Sequence, residues 1–444
     1  MDLLETLIER YPDQTMFLQT VSEVFEDVHP LVERDQVLQN LKILERLAEP
    51  DRIIQFRVTW QNEKGEFEVN RGWRVQHSNA IGPYKGGLRF HPGVSLDTFK
   101  FLGLEQTLKN ALTGLQMGGA KGGADFDPKG RSDTDVMSFC HAFMMELYRY
   151  IGRDSDIPAG DIGVGEREIG YLFGAYKKLA GRFDAAMTGK SPAIGGSCVR
   201  KEATGYGCVY FLKEALDHVG KELKEKHCAL SGAGNVALYT AQKLIAEDAK
   251  VVSLSNAKGT AFFPDGLTSS QLERIIEIKE QEHGNLQDFC DEGKEVEGVD
   301  YIKDAKPWSR ACDIAVPCAT QNELDEEDAE TLADNHVGWV CEAANMPLTK
   351  KARTRLLKTG ATILPSKAVN AGGVAISGIE RSQNAQHLAW SKDKVNTRLK
   401  TIMHDIHRLC VKQGGEKDRI NYLRGANVAG FLRVAKAMQA YGSL

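Results

Sequence analysis

The run HCALSGAGNVA at residues 227–237, followed one helix length later by KVVSLS at 250–255, restricts the fold of this chain more than any other stretch. Ala229 to Ser231 read as the end of a strand, and Gly232-Ala-Gly234-Asn235-Val236-Ala237 as a tight turn that opens a helix. Gly232 permits the turn, Gly234 lets backbone approach an anion, and the helix N-terminus offers free N–H groups to it. Glycines at strand-to-helix turns are common for steric reasons alone. With a strand on either side, however, this run fits a βαβ unit whose first turn holds a dinucleotide pyrophosphate. From about residue 200 the chain alternates helices with short apolar strands, the rhythm of a parallel sheet.

Before residue 200 the texture differs. The first fifty residues carry apolar positions at helical spacing, among them Leu38, Leu41, Ile43, Leu44 and Leu47, and read as amphipathic helices. IIQFRVTWQNEKGEFEVNRGWRVQH holds two runs of aromatic and β-branched residues around Asn62 to Gly65, which predicts a β-hairpin. A helix is expected over about 95–115, and the chain ends in another, NYLRGANVAGFLRVAKAMQAYG.

Composition excludes several classes. With 56 basic and 61 acidic residues the net charge is -5, too mild to predict binding to nucleic acid or an acidic membrane. The 9 cysteines form no CxxC pair and read as reduced thiols, which favours the cytosol. The N-terminus begins with acidic residues rather than a signal peptide, and no run reaches the roughly 18 apolar residues of a membrane span. TGKS at 188–191 resembles the end of a phosphate loop, but the first glycine of that pattern falls on Asp184, so this run reads as a loop. His404 and His407 share a helical face without a third ligand nearby, and no metal site is expected. EKDR and DEEDAE read as solvated faces.

Four charges sit in unusual surroundings. Lys121 lies in GGAKGG, Lys85 in GPYKGGLRF, and Asp161 in PAGDIGVG, while Lys109 falls on the helix between the first two. Singly, a lysine or aspartate on a glycine turn is ordinary. Gln106, Lys109, Asn110 and Thr113 form a polar stripe on an otherwise apolar helix, which suits a solvent face as well as a site. Together, in a chain with a dinucleotide fingerprint, the four form a constellation suited to a dicarboxylate. One lysine can hold each carboxylate, and a third, desolvated and lowered in pKa, can act as acid or base at neutral pH.

Across nearly its whole length the sequence resembles the hexameric glutamate dehydrogenases. The likeness lies in GPYKGGLRFHP, FLGLEQTLKNALTGLQMGGAKGGADFDPKGRSD, PAGDIGVGEREIGYL, VRKEATGYG, PCATQN, ANMP, PSKAVNAGGVAISG and GANVAGF. It implies reversible oxidative deamination of L-glutamate to 2-oxoglutarate and ammonium, with hydride passing to a nicotinamide cofactor. By that resemblance Lys121 is the catalytic lysine and Asp161 its proton-transfer partner. Lys109, with Gly160 and Asn370, meets the α-carboxylate, and Lys85 with Ser377 the distal one. Gln106, Ala159 and Val374 line the pocket, and Arg200 and Thr188 lie in the cleft. Gly232, Gly234, Asn235, Val236, Thr204, Thr320, Gln321, Asn322 and Asn345 lie along the cofactor, with Thr204 and Asn345 near the nicotinamide.

One segment departs from the usual patterns. Roughly 20 residues beyond the fingerprint, where an acid normally meets the ribose of NAD, this chain has Asn256, Ala257 and Lys258. Nothing there repels a 2′-phosphate, although Lys258 also suits a solvated turn. The aspartate–serine pair of many NADP-preferring relatives is missing too. Of the basic cluster those relatives carry, only Lys279 remains, followed by Glu280, Gln281, Glu282, His283, Gly284 and Asn285. NADP is favoured, with NAD use an alternative.

The expected fold is α/β. A mixed α/β substrate and assembly domain over 1–199 is completed by helices over 375–444, and a Rossmann-like dinucleotide domain spans 200–374, with substrate bound in a cleft between them. The resemblance implies a homohexamer; the cysteines and the net charge point to a cytoplasmic protein with no nucleic-acid or membrane partner. Two alternatives stand beside this reading: a relative acting on apolar amino acids, disfavoured by Lys85 and Ser377, and a catalytically silent dinucleotide-binding protein, which has no need of Lys109, Lys121 and Asp161.

Overall fold

The structure, a computed structural model, describes residues 3–282, 284–292, 298–415 and 419–443. The chain divides into two compact units, Met1–Arg200 with Ala375–Val395 and Asn427–Leu444, and Lys201–Val374 with Asn396–Ala426.

The first unit is built on a five-stranded sheet of β1 (Arg52–Gln61), β2 (Phe67–Ser78), β3 (Tyr84–Phe90), β4 (Gly119–Ala124) and β5 (Asp156–Gly160), in the order β1-β2-β4-β3-β5. The expected hairpin is present, with β1 and β2 antiparallel from Arg52 opposite Gln76 to Gln61 opposite Phe67. Asn62 fixes its turn, its Oδ1 accepting from the N–H groups of Lys64 and Glu66 at 3.0 Å each. β3 runs parallel to both β4 and β5. One face of the sheet packs on aromatic residues, where Phe126 and Phe139 stack at 3.9 Å and Phe90, Trp60 and Phe143 close around them.

Four N-terminal helices, Leu3–Arg10, Thr15–Val32, Gln36–Asn40 and Ile43–Ala48, bury Leu38, Ile43, Leu44 and Leu47. Leu41 is only half-buried because it caps the third of them. The helix Leu96–Leu112 starts at a capping box between Ser95 and Thr98 and is buried on nearly every face. Its carboxyl end is held by the last helix, Tyr422–Tyr441, whose Arg433 donates to the carbonyls of Ala111, Gly114 and Leu115 at 2.6, 3.0 and 2.7 Å.

The second unit holds a seven-stranded sheet, ordered β12-β11-β10-β6-β7-β8-β9. Its strands are β6 (His227–Leu230), β7 (Lys250–Asn256), β8 (Gly259–Phe262), β9 (Asp300–Lys303), β10 (Ile314–Val316), β11 (Trp339–Cys341) and β12 (Thr362–Leu364). Neighbours from β12 to β7 are parallel, as the βαβ rhythm predicts, and β8 and β9 add an antiparallel edge.

The C-terminal helices depart from expectation. Residues 375–444 were to complete the first unit as a block, but Asn396–Ala426 belongs to the second. Side-chain contacts explain why. Asn396 Oδ1 accepts from Tyr210 at 2.8 Å, His404 pairs with Glu214 at 2.8 Å, and the buried His407 packs on Phe211 and hydrogen-bonds Tyr422. His407 is thus a core residue, while His404 is exposed. All nine cysteines are free thiols, and among the described residues no group of three or more His, Cys, Asp or Glu is arranged to hold a metal. Glu416, Lys417 and Asp418 of the EKDR run lie outside the described residues.

Candidate active site

Three of the four charges singled out in the sequence lie on or just after three neighbouring strands, β4, β3 and β5. Lys85 lies on β3, Lys121 on β4, and Asp161 directly after β5, with Ala159 and Gly160 on the strand itself. Lys121 Nζ stands 3.1 Å from Asp161 Oδ1, both side chains largely buried. Glycine at position 87 makes this possible. A β-carbon there would stand 2.8 Å from Asp161 Cβ, 2.9 Å from the Gly160 carbonyl and 3.3 Å from Lys121 Nζ.

The polar stripe of helix Leu96–Leu112 is not a solvent face. Gln106, Asn110 and Thr113 are buried and Lys109 is half-buried. Gln106 donates to Asn110 Oδ1 at 2.7 Å, and Asn110 in turn donates to the Lys85 carbonyl at 3.0 Å and to that of Gly118. The stripe therefore fixes the backbone on which Lys85 sits.

Burial lowers the Lys121 ammonium below its ordinary value; Asp161 opposes this, while Arg89 and Arg74 add to it. Burial also pushes Lys85 well down, reinforced by Arg74 and countered by Glu380. For Asp161 burial acts upward, but Lys121 and Arg89 outweigh it and hold the carboxyl well below the usual range. The cluster can thus present a carboxylate beside an amine that is readily deprotonated.

Four further charged residues, none singled out in the sequence, complete this network. Arg89 Nε donates to Asp161 Oδ2 at 2.7 Å. Lys85, Gly87 and Arg89 alternate along β3, so the period of two that places Lys85 also places Arg89 on its face, a signal that was there to be used. Arg74 and Asp156, both fully buried, form a bidentate pair, and Arg74 also donates to the Gly86 carbonyl at 3.1 Å. Glu380 is fully buried and accepts from the N–H groups of Gly189 at 3.0 Å and Lys190 at 3.3 Å. It lies one helical turn beyond Ser377, whose Oγ is 2.5 Å from Thr188 Oγ1. The TGKS run is thus a loop, held in place by Glu380. Arg200 is also enclosed, its Nε among the buried atoms with no hydrogen-bond partner, and burial lowers its pKa against Glu380 and Asp161.

In the second unit Gly232 takes φ 79°, the left-handed turn its position requires. Gly234 caps the helix Asn235–Ala246 without a side-chain hydrogen bond, and nothing lies within 4 Å of where its β-carbon would be. The helix N-terminus is therefore open to an anion, beginning with the N–H groups of Asn235 and Val236. A cavity of about 460 Å³ adjoins it, lined by Gly232, Gly234, Asn256, Lys279, Asn285 and Thr320 among others. These features fit a dinucleotide. Asn256 Oδ1 accepts from the N–H groups of Lys258 and Gly259 at 2.8 and 3.2 Å, and the Lys258 side chain is exposed. Lys279 lines the cavity, whereas Glu280 and Glu282 reach Lys201 and Arg274; His283 lies outside the described residues. Thr204 sits in the first turn of helix Ala203–His218, and Gln321 and Asn322 are exposed after β10. Asn345 Oδ1 accepts from Asn370 Nδ2 at 2.8 Å. Asn370 and Val374 belong to this second unit, although both are expected at the substrate.

A Rossmann-like unit with an open phosphate turn, joined to a unit carrying an acid–base pair among buried cations, defines the class: a dinucleotide-dependent α/β oxidoreductase. Residues 195–442 match the model for Glutamate/Leucine/Phenylalanine/Valine dehydrogenase, and residues 50–178 match Glu/Leu/Phe/Val dehydrogenase, dimerisation domain. The chain belongs to the Glu/Leu/Phe/Val dehydrogenase family. It is 50% identical to the NAD(P)-specific glutamate dehydrogenase of Xylanibacter ruminicola over 99% of each chain. It is also 50% identical to the NADP-specific glutamate dehydrogenase of Escherichia coli strain K12, over 98% of this chain and 96% of that one. The crystal structure of Plasmodium falciparum glutamate dehydrogenase superposes with a TM-score of 0.96 at 46% identity, covering 99% of this chain and 94% of that one.

Proposed function

We propose that this protein catalyses the reversible oxidative deamination of L-glutamate to 2-oxoglutarate and ammonium, with NADP favoured and NAD as an alternative cofactor. The observation that carries the reading is the buried Lys121–Asp161 pair, with a second buried lysine, Lys85, on the strand between the one that carries Lys121 and the one that Asp161 follows. The relatives at 50% identity, one named NADP-specific and one NAD(P)-specific, support the substrate and the cofactor order.

In this reading Lys85 and the Ser377–Thr188 hydroxyl pair hold the distal carboxylate, within reach of Arg200. Lys109, with Gly160, holds the α-carboxylate, and Gln106 and Ala159 shape the pocket. The bound nicotinamide supplies the acceptor for hydride leaving the substrate Cα, which leaves an iminium. Neutral Lys121 then takes a proton from the water that adds to that carbon, and Asp161 relays protons to the departing amine. The balance is glutamate, water and oxidised cofactor to 2-oxoglutarate, ammonium, reduced cofactor and one proton, the one the α-ammonium gives up to solvent before hydride leaves. Desolvation suits Lys121 to this task, because it lowers the cost of losing the proton.

A homohexamer in the cytoplasm accords with this reading. No helix among the described residues is long and apolar enough to cross a membrane. A preference for apolar amino acids is opposed by the buried Lys85, which would be left facing an aliphatic side chain. The test is initial rates of amination of 2-oxoglutarate and of 4-methyl-2-oxopentanoate, each with NADPH and NADH. Turnover of 2-oxoglutarate fastest with NADPH is expected; turnover of the branched acid alone, or of neither, overturns the proposal.

A further inference from the structure

Asp161 serves two cations. One oxygen faces Lys121 Nζ at 3.1 Å and the other accepts from Arg89 Nε at 2.7 Å, with 16% of the carboxylate side chain and 14% of the arginine side chain exposed. Resting on the reading of Lys121 as the proton-accepting amine, we infer that Arg89 is a positioning residue whose fixed charge keeps Asp161 ionised and paired while Lys121 is neutral.

The argument is a count of charges. In the resting cluster one carboxylate faces two cations. When Lys121 loses its proton, Asp161 still faces Arg89, so a buried ion pair survives the step. Without Arg89 the same step would leave a buried carboxylate with no contacting cation, the costliest state for such a site. Lys121 would then hold its proton more tightly. Arginine suits this role because its guanidinium stays charged throughout, whereas a lysine there would itself titrate. The other charges facing the pair cannot substitute. Arg74, on β2, acts on Lys121 but is engaged by Asp156, and Arg200 faces Asp161 without a hydrogen bond to it among the contacts described. Gly87 on β3, whose β-carbon would lie 2.8 Å from Asp161 Cβ, offers no side chain at all.

The test compares the parent with Arg89→Gln and Arg89→Lys by two readouts. The first is the pH dependence of kcat/KM for glutamate deamination, which rises as Lys121 deprotonates. The second is the pH dependence of Lys121 acetylation by acetic anhydride, located by peptide mass mapping, which needs no turnover. Arg89→Gln is expected to move both midpoints upward by about one pH unit or more, and Arg89→Lys by less. If Arg89→Gln does not fold, an upward midpoint in Arg89→Lys carries the result. Activity lowered equally at every pH, with an unmoved acetylation midpoint, would show a purely structural arginine and overturn the inference. A parent inactive on glutamate whose acetylation midpoint still moves in the variants would sink the proposed function and leave this coupling standing.

Discussion

Lys121 and Asp161 come from chain segments that flank β3 without pairing with each other along the sheet, yet their charged atoms are 3.1 Å apart across Gly87. Two glycine-rich runs, distant in sequence, are thus a single device. A methyl group on residue 87 would press on Asp161 Cβ, the Gly160 carbonyl and the lysine amine together. Gly87→Ala is expected to lower kcat about 100-fold or more, since a displacement near 1 Å has that effect on a positioned group. Its unfolding free energy should fall by only about 1–3 kcal/mol. Steady-state rates and urea denaturation check the two arms.

Lys121→Ala should remove about 10³-fold or more of turnover, because its amine is needed in the transition state rather than for binding the dinucleotide. Titration of NADPH fluorescence should give an affinity near that of the parent. Activity close to wild type would refute the assignment.

Asp161→Asn has a signed pH consequence. Asp161 raises the Lys121 pKa against burial, so its removal lets that pKa fall further. The rising limb of residual kcat/KM should therefore move to lower pH, while kcat drops because the relay is lost. A limb that moves upward contradicts the charge arrangement described here.

Lys85→Leu with Ser377→Val should strand the distal carboxylate, costing about 3 kcal/mol or more in kcat/KM for glutamate. Norleucine and methionine should gain relative to it. Competition assays with the three amino acids decide the matter; an unaltered glutamate preference would place that carboxylate elsewhere.

For the cofactor, Asn256→Asp retains the oxygen that accepts from the Lys258 and Gly259 N–H groups, so the turn should survive. Asn256 lines the cavity, so the new charge should weaken NADP more than NAD by like-charge repulsion. Lys258→Ala should act in the same direction more weakly, shrinking with salt, because its side chain is exposed. The ratio of kcat/KM for NADPH over NADH in parent and variants is the measure. Indifference to Asn256→Asp would leave this segment without a part in the choice.

Much of this was legible because it is local. The strand-turn-helix at Gly232, the hairpin around Asn62 and the parallel rhythm after residue 200 are written in neighbouring residues. The structure also places Lys85 and Lys121 on adjoining strands and Asp161 at the end of the next. What escaped was pairing at long range. Arg74 reads as one polar residue in a strand until Asp156 is placed against it, and Glu380 as part of a helix face until the backbone of Gly189 and Lys190 reaches it. The stripe on helix Leu96–Leu112 left solvent and site equally open, since spacing alone does not say whether Asn110 meets water or the Lys85 carbonyl. The assignment of Asn396–Ala426 depended likewise on Tyr210 and Glu214, far earlier in the chain.

That exchange of C-terminal segments has a consequence for how the molecule is made. The chain passes from one unit to the other at 200, 374, 395 and 426, so neither is a continuous stretch. On a ribosome, helix Leu96–Leu112 emerges long before Arg433, the residue that closes its carboxyl end. Tyr210 likewise waits for Asn396. Both cores stay unfinished until the last helices appear, and the helix that carries Lys109 gains its closing hydrogen bonds only then.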